Sequence, residues 1–256
     1  MERLSFRVII PARMRSTRLP GKMLADIAGK PLVAWVAEKA KASGADEVVV
    51  ATDHQDIADA VSALGFRVCT TSATHETGTD RIAEAAALLK LAPGDIVVNV
   101  QGDEPLIDPQ LIRKVASEAA LRPNAAMATA AHPIDTAGAF FDPNVVKVVV
   151  DTDGYAQYFS RAPIPYARDA FARSREALPE GLPAYRHIGI YAYRVSFLRE
   201  YANLSPTPAE RFEALEQLRA LGHGRRVAVA FWSGPLEAGV DTAEDLARVR
   251  AKLGHV

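Results

Sequence analysis

Through the first half of the chain, short β-branched runs alternate with stretches of helical periodicity, and this rhythm constrains the fold more than any other feature. Runs fit for strands lie at Phe6 to Ile10, Glu47 to Ala51, Arg67 to Thr70 and Ile96 to Gln101, the last being the best candidate for a central buried strand. Helical patterns fill Pro31 to Ser43, His54 to Leu64 and Thr79 to Leu91, and another helix opens at Asp108 and Pro109. Strands joined by crossover helices build a parallel sheet with helices on its faces. Helix punctuation agrees. Pro31 suits a first helical position, and Gly44 and Gly65 follow periodic segments, where a left-handed cap is wanted.

The pattern changes after residue 125. Val145 to Val150 and Tyr155 to Phe159 flank Asp151 to Gly154, and Asp-Gly between β-rich runs signals a hairpin. Ala162 to Tyr185 holds four prolines and little periodicity and reads as a long irregular excursion, functional or interfacial in a compact domain. A strand at Ile188 to Tyr193, a helix from Pro208 to Leu221, a strand at Arg226 to Phe231 and a helix after Asp241 complete the chain. The expectation is one domain over residues 1–256, with a mixed, mostly parallel α/β sheet and an inserted arm.

Composition excludes several classes of function. The 256 residues are 49% hydrophobic and 24% charged with a formal net charge of -1, which argues against disorder and against a general nucleic-acid or membrane-surface binder. Any anion site must be local. The single cysteine, Cys69, permits no internal disulfide and no cysteine metal site, and suits a reducing compartment; the cytoplasm is the expected location. No run approaches the roughly 18 apolar residues that a membrane helix needs, so no membrane insertion is expected.

The local anion site is visible at the end of the first strand. Val8 to Ile10 leads into a loop with Arg13, Arg15, Arg18 and Lys22, and Pro20 and Gly21 let it fold back on itself. Strands ending in cationic loops in open α/β sheets bind ligands at their carboxyl ends, and the first guess is a nucleoside triphosphate. Asp103 follows the central strand and falls in the same crevice. A bare carboxylate repels a triphosphate, whereas Mg²⁺ between them makes the arrangement attractive. Asp103 and Glu104 also read simply as the start of a polar turn before Pro105. Asp241 offers a second carboxylate, although Asp241 with Glu244, or Thr242 with Asp245, forms a capping box for the terminal helix. His187 and Tyr191 alternate onto one strand face, Glu213 and Glu216 share a helical side, and Thr77 to Arg81 opens a helix able to receive a base or phosphate. Each of these also has an ordinary structural use. No GxGxxG, P-loop or Ser/His/Asp signature is present, which disfavours dinucleotide redox chemistry, P-loop ATPases and α/β-hydrolases.

Taken in order, IPAR (10–13), STRLPGK (16–22), VATDH (50–54), Gly78 and Thr79, VNVQGDEP (98–105), Pro143 and Asn144 with VKV (146–148), FSR (159–161), RHIGIY (186–191), LEQLR (215–219) and GVDT (239–242) closely resemble the 3-deoxy-manno-octulosonate cytidylyltransferase family almost end to end. The resemblance implies a nucleotide-diphospho-sugar transferase (Rossmann-like) fold, dimeric through an arm at about 134–193. It implies transfer of a cytidylyl group from CTP to 3-deoxy-manno-octulosonate (Kdo), giving CMP-Kdo and pyrophosphate for lipopolysaccharide biosynthesis. By motif it places Ala12, Arg13, Arg18, Lys22, Gly78, Thr79 and Asp103 around the nucleotide. Asp103 and Asp241 fall on Mg²⁺, and Gln101, His187, Tyr191 and Glu216 around the sugar acid, with Arg161 as the candidate for its carboxylate. Lys22, Arg13, Asp103 and Asp241 are the expected catalytic groups. Departures occur at Met14, Arg15, Met23 and Ala243 and after Arg168. Another acid sugar, such as sialic acid or an 8-amino Kdo analogue, stays open as acceptor, as does a non-catalytic nucleotide-sugar sensor.

Overall fold

The structure is a computed structural model that describes residues 3–75 and 77–254. Its first half runs β1 (Arg7–Ala12), a hairpin of β2 (Asp26–Ile27) and β3 (Lys30–Pro31), α1 (Leu32–Ala42), β4 (Glu47–Thr52), α2 (Gln55–Ser62), β5 (Arg67–Thr70), α3 (Gly78–Leu88), β6 (Ile96–Asn99) and α4 (Pro109–Leu121). The second half runs β7 (Met127–Pro133), α5 (Ala137–Phe141), β8 (Lys147–Val150), β9 (Ala156–Ser160), α6 (Arg168–Phe171), β10 (Tyr185–Arg194), α7 (Val195–Tyr201), α8 (Pro208–Glu213), α9 (Gln217–Gly222), β11 (Val227–Phe231) and α10 (Ala243–Leu253).

The strands order as β11-β7-β10-β6-β1-β4-β5, with β8 and β9 branching from β10. Along this path only β10 runs against its neighbours, so the sheet is mixed and mostly parallel, as the alternating pattern predicts. Chain order reverses between β1, whose next parallel neighbour is β4, and β6 on its other side. Such a switch point opens a crevice beyond the strands' carboxyl ends, and there the cationic loop and the Asp103 turn meet.

Both sheet faces are covered, which is why the central strands read as continuous apolar runs. Val8, Ile10, Val50 and Val98 pack with α1, α2, α4 and α10 on one face, while Ile9, Val49, Ala51 and Val97 pack with α3 and α7 on the other. All four residues of β6 are buried, and each buried valine contributes roughly 1.5–3 kcal/mol. Helix starts follow capping chemistry: Thr77, Asp108 and Thr242 each accept a backbone amide from the first turn. Gly44 and Gly65 take positive φ as expected, at +80° and +79°. Pro31 differs, sitting at the N-cap of α1 with extended ψ 146° because it also pairs in the β2–β3 hairpin.

Two further differences lie in the second half. The helix expected over 208–221 is split into α8 and α9 at Ala214, whose φ is +51°. β7 and α7 were not foreseen. The hairpin over residues 151–154 forms between β8 and β9, with Gly154 at φ +84°. The segment after β9 is irregular, apart from α6, and gathers Phe140, Phe141 and Phe171 into a small aromatic cluster with centroids 5.1 to 5.7 Å apart.

Candidate active site

A cleft of about 950 Å³ opens at the carboxyl ends of β1 and β6. The loop after β1 folds back on itself: the Gly21 amide donates to the Met14 carbonyl at 3.4 Å, and Lys22 N to Leu19 O at 3.3 Å. Arg13, Arg15, Arg18 and Lys22 thereby line one wall. Gly102 lets the turn after β6 approach this loop, since a Cβ there would lie 2.9 Å from the Pro11 carbonyl oxygen and 3.0 Å from Met23 Sδ.

Lys22 holds the centre. Its ammonium donates to Asp103 Oδ2 at 2.6 Å, Asp241 Oδ1 at 3.0 Å and the Val240 carbonyl at 2.9 Å. Burial works against that charge, but the two carboxylates outweigh it and hold the Lys22 pKa above its ordinary value. The Val240 amide donates to the Asp103 carbonyl at 2.8 Å, stitching together the two loops that carry the aspartates. Thr242 and Asp245 form the capping box of α10, which leaves the Asp241 side chain free of capping, and Arg18 pairs with its other oxygen at 2.9 Å. The two carboxylates therefore converge on one cation position from loops far apart in sequence. Among the described residues no group of three or more His, Cys, Asp or Glu side chains could hold a metal. Two carboxylates with room for phosphate and water suit Mg²⁺, which keeps several non-protein ligands.

Deeper in, Glu216 lines both this cleft and a small inner cavity shared with Met127, Tyr191, Tyr193, Tyr201 and Gln217. Glu216 Oε1, Gln217 Nε2 and Asn99 Oδ1 are buried without hydrogen-bond partners, and burial raises the Glu216 pKa. Tyr191 donates to Gln217 Oε1 at 3.0 Å.

Of the residues expected at the site, Ala12, Arg13, Arg18, Lys22, Gly78, Gln101, Asp103, Asp241 and Glu216 line the cleft. Thr79 sits behind it, with its hydroxyl 3.2 Å from the Tyr193 hydroxyl. His187 is buried on the same face as Tyr191, ring centroids 5.5 Å apart, and burial pushes its pKa down to about 3, so the ring is neutral. It lines neither cavity. Nor does Arg161, whose guanidinium donates to the carbonyls of Glu213 at 2.6 Å and Pro143 at 3.1 Å. Sequence reasoning missed Arg81 and His75, which also line the cleft. Arg81 bonds Thr71 and pairs with Asp53, and the available signal was its place at the end of the Thr77–Arg81 helix opening. Asn99 and Gln217 gave none beyond their place in the motifs.

A cytidylyltransferase family profile matches residues 7–227. The chain belongs to this family. A solved structure of CMP:2-keto-3-deoxy-manno-octonic acid synthetase complexed with CTP is 40% identical, with a TM-score of 0.88 over 98% of this chain and 99% of that one. A cytidylyltransferase from Leptospira borgpetersenii serovar Hardjo-bovis (strain JB197) shares the fold at 18% identity, with a TM-score of 0.62 over 99% of this chain and 88% of that one. The expected fold class is thus the one observed.

Proposed function

We propose that this cytidylyltransferase joins the cytidylyl group of CTP to the anomeric hydroxyl of 3-deoxy-manno-octulosonate, forming CMP-Kdo and pyrophosphate. The observation that carries the reading is the meeting of Asp103 and Asp241 at one cation position beside the Arg13, Arg18 and Lys22 wall, in a chain 40% identical to a CMP-Kdo synthetase.

In the reaction the sugar hydroxyl oxygen attacks the α-phosphorus, the bond to pyrophosphate breaks, and the hydroxyl proton leaves to solvent. Such a displacement needs little covalent help, so rate comes from alignment and charge neutralisation. Arg13, Arg18 and Lys22 stabilise the departing pyrophosphate. Asp103 and Asp241 would hold a magnesium ion, which when bound polarises the α-phosphate and lowers the pKa of the attacking hydroxyl. Glu216 and Gln101 orient the acid sugar from the inner side of the cleft. The further reading is of two copies joined through the arm at 134–193, supported by exposed Tyr158 on β9, which pairs only with β8, and exposed Tyr166. Supply of lipopolysaccharide precursor follows from the CMP-Kdo reading, and a cytoplasmic setting from the single unpaired Cys69. Among the described residues no helix is long and apolar enough to cross a membrane.

The test is pyrophosphate release by purified protein with each of four nucleoside triphosphates and a panel of acid sugars, with and without Mg²⁺. Release only with CTP, Kdo and Mg²⁺ is expected. CTP binding without release on any acid sugar would make the protein a sensor and overturn the proposal.

A further inference from the structure

Three of the matched sequence motifs, Pro143 with Asn144, VKV (146–148) and FSR (159–161), line neither cavity, yet they meet at one place, the root of the arm. Lys147 is fully buried on β8 and donates to the carbonyls of Asp142 at 2.8 Å, Val145 at 2.6 Å and Arg161 at 2.7 Å. An ammonium has three hydrogens to give, and all are used. They tie the chain entering β8 to the chain leaving β9. Arg161 adds a second tie, from Nη1 to the Pro143 carbonyl at 3.1 Å.

Glu213 joins this knot to α8. One oxygen of its carboxylate accepts from the Ser160 hydroxyl at 2.6 Å and the other from the Arg161 amide at 2.9 Å, while its carbonyl accepts from Arg161 Nε at 2.6 Å. The next residue, Ala214, takes φ 51° and ψ 50°, a left-handed conformation that a residue with a Cβ adopts only where its surroundings hold it. Past this turn Glu216 opens α9 and lines the cleft. In a helix continued through residue 214, Glu216 would share the side of Glu213 and face the arm instead.

The geometry points to Glu213 as a positioning residue, which anchors the strained turn at Ala214 to the root of the arm and so keeps Glu216 at the cleft. Glu213 does not itself touch substrate. A shift of the arm's root is then passed to Glu216 through the turn, so the arm and the acid-sugar side of the cleft move as one unit. The kinetic half of this inference rests on the Kdo reading above.

The test combines kinetics on the intact protein with crystal structures. Glu213→Ala removes both carboxylate acceptors and should raise KM for Kdo about tenfold, with KM for CTP nearly unchanged. Ser160→Ala removes one of the two contacts and should raise it about threefold, in a protein whose Glu213 still holds the Arg161 amide. Combining either substitution with Glu216→Gln decides between positioning and general loosening. If Glu213 acts through Glu216, the double variant has no higher a KM for Kdo than Glu216→Gln alone. Multiplying effects would overturn the inference, as would an unchanged KM in Glu213→Ala or an equal rise in KM for CTP. In the crystal, Glu216 of the Glu213→Ala protein should have left the cleft; Glu216 in place beside a left-handed Ala214 would overturn the inference. Should the protein turn over no acid sugar, the Kdo reading would fall, while that structure would still decide whether Glu213 sets the place of Glu216.

Discussion

Lys22→Met is the perturbation with the sharpest consequence, because it removes the one cation that two carboxylates share. The Asp103 and Asp241 oxygens bonded to Lys22 can be no farther apart than those two bonds, 2.6 and 3.0 Å, laid end to end, so at most about 5.6 Å separates them. At an effective dielectric near 20, like charges at that distance repel by about 3 kcal/mol. Lys22 is only 9% exposed, but Asp103 is 28% and Asp241 47% exposed, and water screens them enough to bring the net loss to about 1–2 kcal/mol. In EDTA the variant should therefore melt roughly 2–8 °C below wild type. Mg²⁺ should reverse the order of response. In the wild type an arriving ion must displace the ammonium, whereas in Lys22→Met it meets Asp103 uncompensated and Asp241 paired only with the exposed Arg18. The rise in Tm with Mg²⁺, in the absence of CTP, should be larger in the variant. Thermal melts of both proteins with EDTA and with a Mg²⁺ series measure this directly. Equal melting temperatures in EDTA, or Mg²⁺ stabilising both proteins equally, would refute the shared-cation argument.

Three other outcomes are expected. Asp103→Asn should lose about a hundredfold or more in kcat while keeping the wild-type far-UV spectrum, as read by pyrophosphate release and circular dichroism; wild-type turnover would contradict the role given to that carboxylate. The Asp245 pKa is pushed down to about 2, first by Arg248 and then by the amides of Asp241 and Thr242, so its stabilisation is complete above the unfolded value near 4 and lost as pH falls toward 2. Asp245→Asn should be about 1 kcal/mol less stable in urea at neutral pH, and the gap should close below about pH 4; a gap independent of pH would assign the effect to the cap alone. Breaking the buried Arg219–Glu210 pair, whose shortest contact is 2.6 Å, by Glu210→Leu should destabilise by about 3–5 kcal/mol in urea, and a loss below about 1 kcal/mol would show that the pair is well solvated.

The parts legible in the sequence are those where one local signal governs. β1, β4 and β6 announce themselves through β-branched residues, because both of their faces are buried and every position wants bulk. β7 does not. Its sequence, MATAAHP, is built largely of alanine, a poor strand former, and it forms a strand because β10 and β11 pair with it on either side. The cationic loop and Asp103 were readable as one crevice because parallel strands present their carboxyl ends together. Asp241 was not. Locally it is one of two candidates for a helix cap, and only the completed fold shows Thr242 taking that part. The three unpaired atoms of Asn99, Glu216 and Gln217 leave no mark on the sequence, since a polar side chain reads the same whether or not the fold supplies it a partner.

The division of labour between Glu213 and Glu216 turns on Ala214. In an unbroken helix, two glutamates three residues apart share a side, and both would face the same surroundings. The left-handed backbone at Ala214, worth roughly 1–2 kcal/mol of strain for a residue with a Cβ, rotates the second away from the first. Glu213 then turns to the arm, accepting from the Ser160 hydroxyl at 2.6 Å and the Arg161 amide at 2.9 Å, while Glu216 turns into the cleft. The same turn explains Arg161. Its Nε donates to the Glu213 carbonyl beside the break, which secures the end of α8. On the far side, Arg219 locks back onto Glu210 across the break and stacks 4.6 Å from the Tyr201 ring. An alanine in a conformation that it resists is thus held by ionic contacts from both flanking helices, and the product of that strain is a carboxyl group aimed at the substrate side of the cleft.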